Sequence, residues 1–472
     1  MFKKRFMALV LTTMMAASAF AGCSGSAEPL SDAALTDDTK QTDTTSQTDS
    51  ETPADDPSVA DSENPSENDT VKEPDKKKRP AGNLLDSVEA GEVSLEISDE
   101  QSEKLRLASA DWAMELLRKC YKDGDAFISP LSIELALTMT ANGAANETLN
   151  QMLTTMAGDG LDIDTLNAYL KSYTDSLVNN EDVKLEIANA IWTNEYLNVV
   201  PADNFLKNIK GFFDAGVYAE EFNKDTLAHI NDFCKEHTDG QIDKVLDELD
   251  PSALMVLVNA LNFDAKWAKE YEETQVNKRI FTDENGNETE MDMMNSMEDF
   301  YLSSDYCYGV KKEYKDGYSF VALLPNEGEK VADLVDKLDA KTWMDMLDNP
   351  VECDVHTIIP KFEREASYDL REILADMGMK DAFNQEIADF SNMVDSSNGI
   401  SDIFIDSVIH KTHIEVDEKG TKAAAVTVVT MKCNSANIIV DYKEVHLDRP
   451  FVYAIVDNEN NLPVFIGTFD QP

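Results

Sequence analysis

The chain has 472 residues, with 41 basic and 91 acidic side chains and a formal net charge of −50. That charge argues against nucleic-acid binding, which needs Lys and Arg to neutralise phosphates, and against adsorption to anionic lipid. Six Cys with no Cys-x-x-Cys pair exclude disulfide scaffolds and zinc ribbons, while 42% hydrophobic and 28% charged residues are those of a soluble globular protein.

The N-terminus reads as a targeting segment. Lys3, Lys4 and Arg5 precede an apolar or small stretch over residues 6–20, too short to span a bilayer. Ala21 and Gly22 before Cys23 resemble a bacterial lipobox, in which the Cys is acylated and becomes the mature N-terminus, although Phe20 stands where that pattern usually has Leu. The plainer alternative is an ordinary signal peptide with an incidental Cys. We expect residues 1–23 to be a lipoprotein signal peptide, with Cys23 lipidated and the product held at the extracellular face of the cell membrane. That anchor would be its sole membrane contact.

Residues 24–95 contain no aromatic side chain and are rich in Asp, Glu, Ser, Thr and Pro; Lys40 is the one base before Lys72. Such a segment has too little apolar surface to offset ordering entropy, so a disordered acidic linker is expected, with a flexible reach of roughly 50 Å. Residues 96–472 retain 73 acidic and 32 basic side chains, a net charge of −41.

In that body, Leu105, Leu107, Ala108, Trp112, Leu116 and Leu117 recur at helical spacing, predicting a helix over residues 101–121. A second helical stretch is expected over 132–152, after Ser129-Pro130. Residues 255–263 form an almost unbroken apolar run, as in a strand buried on both faces. Further strands are expected at 318–324, 437–442, 450–456 and 463–468. Helices early, strands late and no βαβ alternation predict an α+β fold with one large sheet. No internal repeat is present.

Catalytic patterns are scarce. The six His (229, 237, 356, 410, 413, 446) form no HExxH, and neither GxSxG nor a P-loop occurs. His229, Cys234 and His237 share an expected helix, but a solvated helix face is the default reading there. Cys120, Cys234, Cys307, Cys353 and Cys433 have no metal-site spacing. Neither an enzyme nor a cofactor or metal is expected.

The segment from Glu415 to Met431 starts charged and then becomes small, β-branched and proline-free. If extended, Thr421, Ala423, Ala425, Thr427, Val429 and Met431 share one face, and Lys422, Ala424, Val426, Val428, Thr430 and Lys432 the other. Three successive Ala are unusual for a permanent strand; on its own the segment reads as a helix or as a strand beside a loop.

EVDEKGTKAAAVT at 415–427 resembles the reactive-loop hinge of serpins. FISPLSIELALTMTANGAANETLNQM (127–152), INDFCKEHTDGQIDKVL (230–246), LVNALNFDAKW (257–267), IIPKFEREASYDLREILADMGMKDAF (358–383) and DRPFVYAIVDNENNLPVFIGTFDQP (448–472) match the same family in order. The resemblance covers residues 96–472. It implies a serpin fold, with about nine helices around three β-sheets, a large central sheet and an exposed reactive loop. It also implies a suicide-substrate inhibitor of serine proteases, with cysteine proteases as a second target class: the loop is cut, then inserts as a new central strand and distorts the bound enzyme. The expected hinge is Glu418, Gly420, Thr421, Ala423, Ala424 and Ala425, with small residues passing from loop to buried strand and Gly420 giving backbone freedom at the bend. Ser129, Ser132, Asn259 and His410 match the shutter, and Trp267 matches an aromatic where insertion begins. A count of roughly seventeen residues from Glu418, as in family inhibitors, places the cut after Asn434, before Ser435. Lys432 would suit trypsin-like enzymes and Met431, Thr430 or Val429 elastase-like ones; Cys433 could alter reactivity or dimerise the loop. Lys422 and Val426 depart from the family pattern. The alternative is a non-inhibitory serpin acting as a surface binding module. A monomer is expected, with cationic proteases as partners and no nucleic acid.

Overall fold

The computed structural model describes residues 82–91, 94, 96–122, 124–213, 215–395, 403–421 and 442–472, all within one unit, residues 76–472. Cys23, Ala423, Ala424, Ala425, the scissile-bond candidates from Met431 to Ser435 and most of the strand expected at 437–442 lie outside them.

In chain order the helices are α1 (Asp99–Cys120), α2 (Pro130–Ala141), α3 (Asn146–Ala157), α4 (Ile163–Ser176), α5 (Asp203–Phe212), α6 (Lys224–His237), α7 (Val331–Lys337), α8 (Ala340–Asp348) and α9 (Arg371–Met377). The strands are β1 (Phe127–Ile128), β2 (Val183–Asn194), β3 (Ala215–Glu220), β4 (Met255–Lys266), β5 (Val276–Thr282), β6 (Glu288–Ser303), β7 (Cys307–Glu313) and β8 (Tyr318–Pro325). The remaining strands are β9 (Val351–Pro360), β10 (Phe362–Asp369), β11 (Ile409–Val416), β12 (Gly420–Thr421), β13 (Lys443–His446), β14 (Phe451–Asp457) and β15 (Pro463–Phe469). The expected α+β class and helix count are met among the described residues.

The six-stranded central sheet has the order β10-β11-β12-β4-β2-β3. The other strands join in a nine-stranded ladder, β1-β15-β14-β8-β7-β6-β9-β13, with β5 also on β6. The two smaller sheets of the expectation are thus continuous here. The 16-residue β6 links them, pairing with β5 along its first half, with β7 at its end, and with β9 on its other edge. The apolar runs sit where burial is greatest: every residue of β8, β14 and β15 is buried.

The helical reading holds for α1, which starts at a capping box of Ser98 and Gln101 and ends on Arg118 and Lys119, complementing the helix dipole. The stretch at 132–152 is instead two helices, α2 and α3. The break falls at Gly143, whose Cβ would meet Met393 side-chain atoms at 2.5 Å, and Asn146 opens α3 at a φ of 50°. Apolar spacing continues across the break, so periodicity alone merges the two. All twelve residues of α2 are buried, because it packs against β4 and β2 of one sheet and β15 of the other.

Residues 83–91 depart from the expected linker. Leu84 and Leu85 are buried in a 3₁₀ turn, Asn83 Oδ1 accepts from the Val217 amide at 3.0 Å, and Lys210 Nζ donates to the Leu85 carbonyl at 2.5 Å. An apolar pair within a polar tract suffices to dock it on β3 and α5.

Candidate functional site

The site forms where β11 turns back into β12. Asp417 Oδ1 accepts from the amides of Lys419 at 2.8 Å and Gly420 at 3.1 Å, and the Asp417 amide donates to the Gly420 carbonyl at 2.9 Å, closing a tight hairpin. The two-residue strand that follows is wedged between β4 and β11: Gly420 faces Lys266, while Thr421 faces Ala265 on one side and Val416 on the other. Beyond Thr421, no ladder pairs β4 with β11 among the described residues, although the two strands approach each other directly; the seam between them, which starts at this stub, is the slot that a further strand would have to open.

Gly420 serves a different purpose from the one expected. Its φ is not positive, but a Cβ there would lie 1.9 Å from the Ala265 carbonyl oxygen and 2.8 Å from Lys266 Cα. Close approach of the β4 backbone, rather than bending freedom, requires glycine. Thr421 also differs: it is already in the sheet, 1% exposed, with Oγ1 2.6 Å from the Tyr314 hydroxyl. Glu418 forms an ion pair with Lys361, whose hydrogen bond holds its carboxyl below the usual range. Its carbonyl accepts from the Tyr271 amide at 2.9 Å.

Trp267 organises this end of the slot. Its Nε1–H donates to the Asp417 carbonyl at 2.8 Å, its amide donates to the Lys419 carbonyl at 2.8 Å, and its ring stacks on Tyr314 with centroids 4.4 Å apart. Lys312 Nζ lies 5.1 Å from the Trp267 centroid and 4.5 Å from that of Tyr271. Lys312 is itself buried and paired with buried Glu298 at 2.8 Å, burial pushing the ammonium's pKa down. Sequence reasoning missed Glu298 on β6, Lys312 on β7 and Tyr314 just after it, since nothing local in those segments marks them.

Further along the slot lie the four residues expected as the shutter. Ser129 caps α2, with Oγ accepting from the Ser132 amide and donating to the Val464 carbonyl at 2.8 Å. The Ser129 amide donates to His410 Nε2 at 3.0 Å, and burial lowers the His410 pKa to about 3, so the ring is a neutral acceptor. Asn259 is drawn elsewhere: its amide donates to Asn189 Oδ1 on β2, and no hydrogen bond to His410 forms. Asn259 Oδ1 and Ser132 Oγ are both buried without a hydrogen-bond partner.

The helix-borne trio of the sequence reading does not converge. His229 pairs with Glu220 at 2.7 Å, His237 Nδ1 contacts the Phe233 carbonyl, and Cys234 is buried with its pKa pushed up to about 12.

A family model described as Serpin (serine protease inhibitor) matches residues 107–472. A leukocyte elastase inhibitor of Xenopus laevis is 30% identical over 395 residues, 78% of this chain and 100% of that protein. Thyroxine-binding globulin of Homo sapiens is 27% identical over 383 residues, 78% of this chain and 90% of its own. Among solved structures, the thermophilic serpin tengpin in its native state matches with a TM-score of 0.77 at 41% identity, covering 83% of this chain and 100% of its own. Its latent state matches with a TM-score of 0.69 at 39% identity, over 80% and 99%. The chain belongs to the serpin family.

Proposed function

We propose that this protein inhibits serine proteases by offering its loop as substrate and inserting the cut loop into the slot between β4 and β11. The observation that carries this reading is the register of the stub. Continuing the antiparallel ladder from Thr421, which faces Ala265 and Val416, sets residue 423 between Phe263 and Ile414. The same count sets residue 425 between Leu261 and Thr412, and residue 427 between Asn259 and His410. Ala423 and Ala425 are small where the neighbours are buried, and the Thr427 hydroxyl would arrive beside the unpartnered Asn259 Oδ1. Lys422, on the opposite face, would stand between Asp264 and Glu415. That departure from the family pattern is thus matched by two carboxylates on the adjoining strands.

Relatives include proteins named for inhibiting leukocyte elastase and others named for binding thyroxine; the hinge register favours the first class. A body of net charge −41 should attract cationic proteases by long-range steering. The N-terminal pattern supports anchoring at the cell's outer face through Cys23, and Cys23→Ala should release the protein or leave it unprocessed. The test of the inhibitory reading is incubation with a panel of trypsin-like and elastase-like enzymes. An SDS-stable complex is expected with at least one, and cleavage of the loop without any stable complex across the panel would favour the binding-module alternative.

A further inference from the structure

We propose that His356, His446 and Glu444 form a binding site for a zinc-class divalent metal that clamps β13 to β9. The reading stands apart from the inhibitory one, since metal affinity can be measured with no protease present. β13 is a four-residue strand at the end of the nine-stranded order, paired in parallel with β9 and, among the described residues, with no other strand. Glu444 lies directly opposite His356, and His446 is two residues further along the same face. His446 Nε2 is 3.2 Å from His356 Nδ1, and the three ligand atoms all lie within 4.8 Å of one another.

That spacing fits metal chelation. Two imidazole nitrogens at about 2.0–2.1 Å from a tetrahedral ion stand about 3.3–3.4 Å apart, so the two rings need little movement to share one. The far nitrogen of His356, Nε2, is 3.3 Å from Asn295 Oδ1 on β6. An amide oxygen can only accept, so Nε2 carries the proton and the lone pair of Nδ1 is turned toward His446. Two imidazoles and one carboxylate, with the fourth position open, form a donor set that suits zinc better than calcium or magnesium. Because His356 and His446 are 90 residues apart, no local spacing reveals the cluster.

The plain alternative is a His446-to-His356 hydrogen bond with no affinity for metal. The competing chemistries give different results when zinc is titrated into the full-length chain at physiological salt, with excess magnesium to occupy the diffuse acidic surface. We expect one tight zinc per chain, abolished in His446→Ala and His356→Ala and strongly reduced in Glu444→Gln, a near-isosteric change at an exposed position that leaves the packing of β13 unaltered. Asn295→Ala should weaken binding about 10–100-fold as a positioning residue, and His237→Ala should change nothing. Zinc should also raise amide protection at residues 443–446. Absence of tight zinc, or tight zinc retained in His446→Ala and Glu444→Gln, overturns the site. Zinc binding with no gain in protection at 443–446 overturns the clamp.

Discussion

Reversing the charge at Lys422 probes the insertion register at one of the two positions, with Val426, where the hinge departs from the family pattern. In the proposed inserted ladder, continued from Thr421 opposite Ala265 and Val416, residue 422 would stand directly opposite Asp264 on β4 and Glu415 on β11, one on each side. Directly opposed cross-strand side chains have Cβ atoms about 4.5–5.5 Å apart, and an opposite-charge pair contributes about 0.2–1 kcal/mol. Lys422→Glu exchanges two attractive pairs for two repulsive ones, a swing of about 1–4 kcal/mol. At about 2 kcal/mol, felt in the insertion barrier, the loop would enter roughly 30-fold more slowly. The scissile region is untouched, so acylation should proceed as before while hydrolysis overtakes trapping. The assay is the ratio of cleaved chain to covalent complex on a denaturing gel, for parent, Lys422→Arg, Lys422→Ala and Lys422→Glu. Arg should resemble the parent, Ala should shift partway, and Glu should act mainly as substrate, less so at high salt. If Lys422→Glu traps as efficiently as Lys422→Ala, residue 422 does not enter between those carboxylates and the register is wrong.

Thr421→Val should lower thermal stability by about 1–3 kcal/mol, because it strands the buried Tyr314 hydroxyl, and Thr421→Val with Tyr314→Phe should recover part of the loss. Burial raises the Glu134 carboxyl on α2 from 4.5 to about 8, so between those values the folded state keeps a proton that the unfolded chain has released. Its stabilising contribution is therefore full below about pH 4.5, falls as pH rises and is gone above about pH 8; Glu134→Gln should flatten that slope in chemical denaturation and add about 3 kcal/mol at pH 7. His410, with its pKa lowered to about 3, acts in the opposite sense: stability falls as pH drops from 6.5 toward 3, and a substitution that removes the imidazole while keeping an acceptor for the Ser129 amide should blunt that acid loss. Association with basic proteases should slow as ionic strength rises, and a flat response across several targets would remove electrostatic steering from the account.

Much of the fold was legible because apolar runs mark strands with two buried faces: the segments read at 255–263, 318–324, 450–456 and 463–468 became β4, β8, β14 and β15. The division of α2 from α3 was not, since it depends on a close approach of Gly143 to Met393 that lies about 250 residues away in the chain. At the site, the hinge motif located the stub, yet the reasons for its residues came from β4. Gly420 answers to the Ala265 carbonyl and Thr421 to the Tyr314 hydroxyl, neighbours set by register and packing rather than by proximity in sequence. The Asn259–Asn189 pair and the docking of Leu84 and Leu85 were hidden for the same reason, each resting on a partner in a distant strand or helix.

The most direct measurement is the structure of the chain after a single cut in its loop. The account predicts a new strand continuing from Thr421 between β4 and β11, with residue 423 opposite Phe263, residue 422 between Asp264 and Glu415, and the Thr427 hydroxyl hydrogen-bonded to Asn259 beside His410. A cleaved chain in which residues 422–431 stay outside the central sheet, or enter it displaced by one residue so that Lys422 takes the buried face, would contradict it.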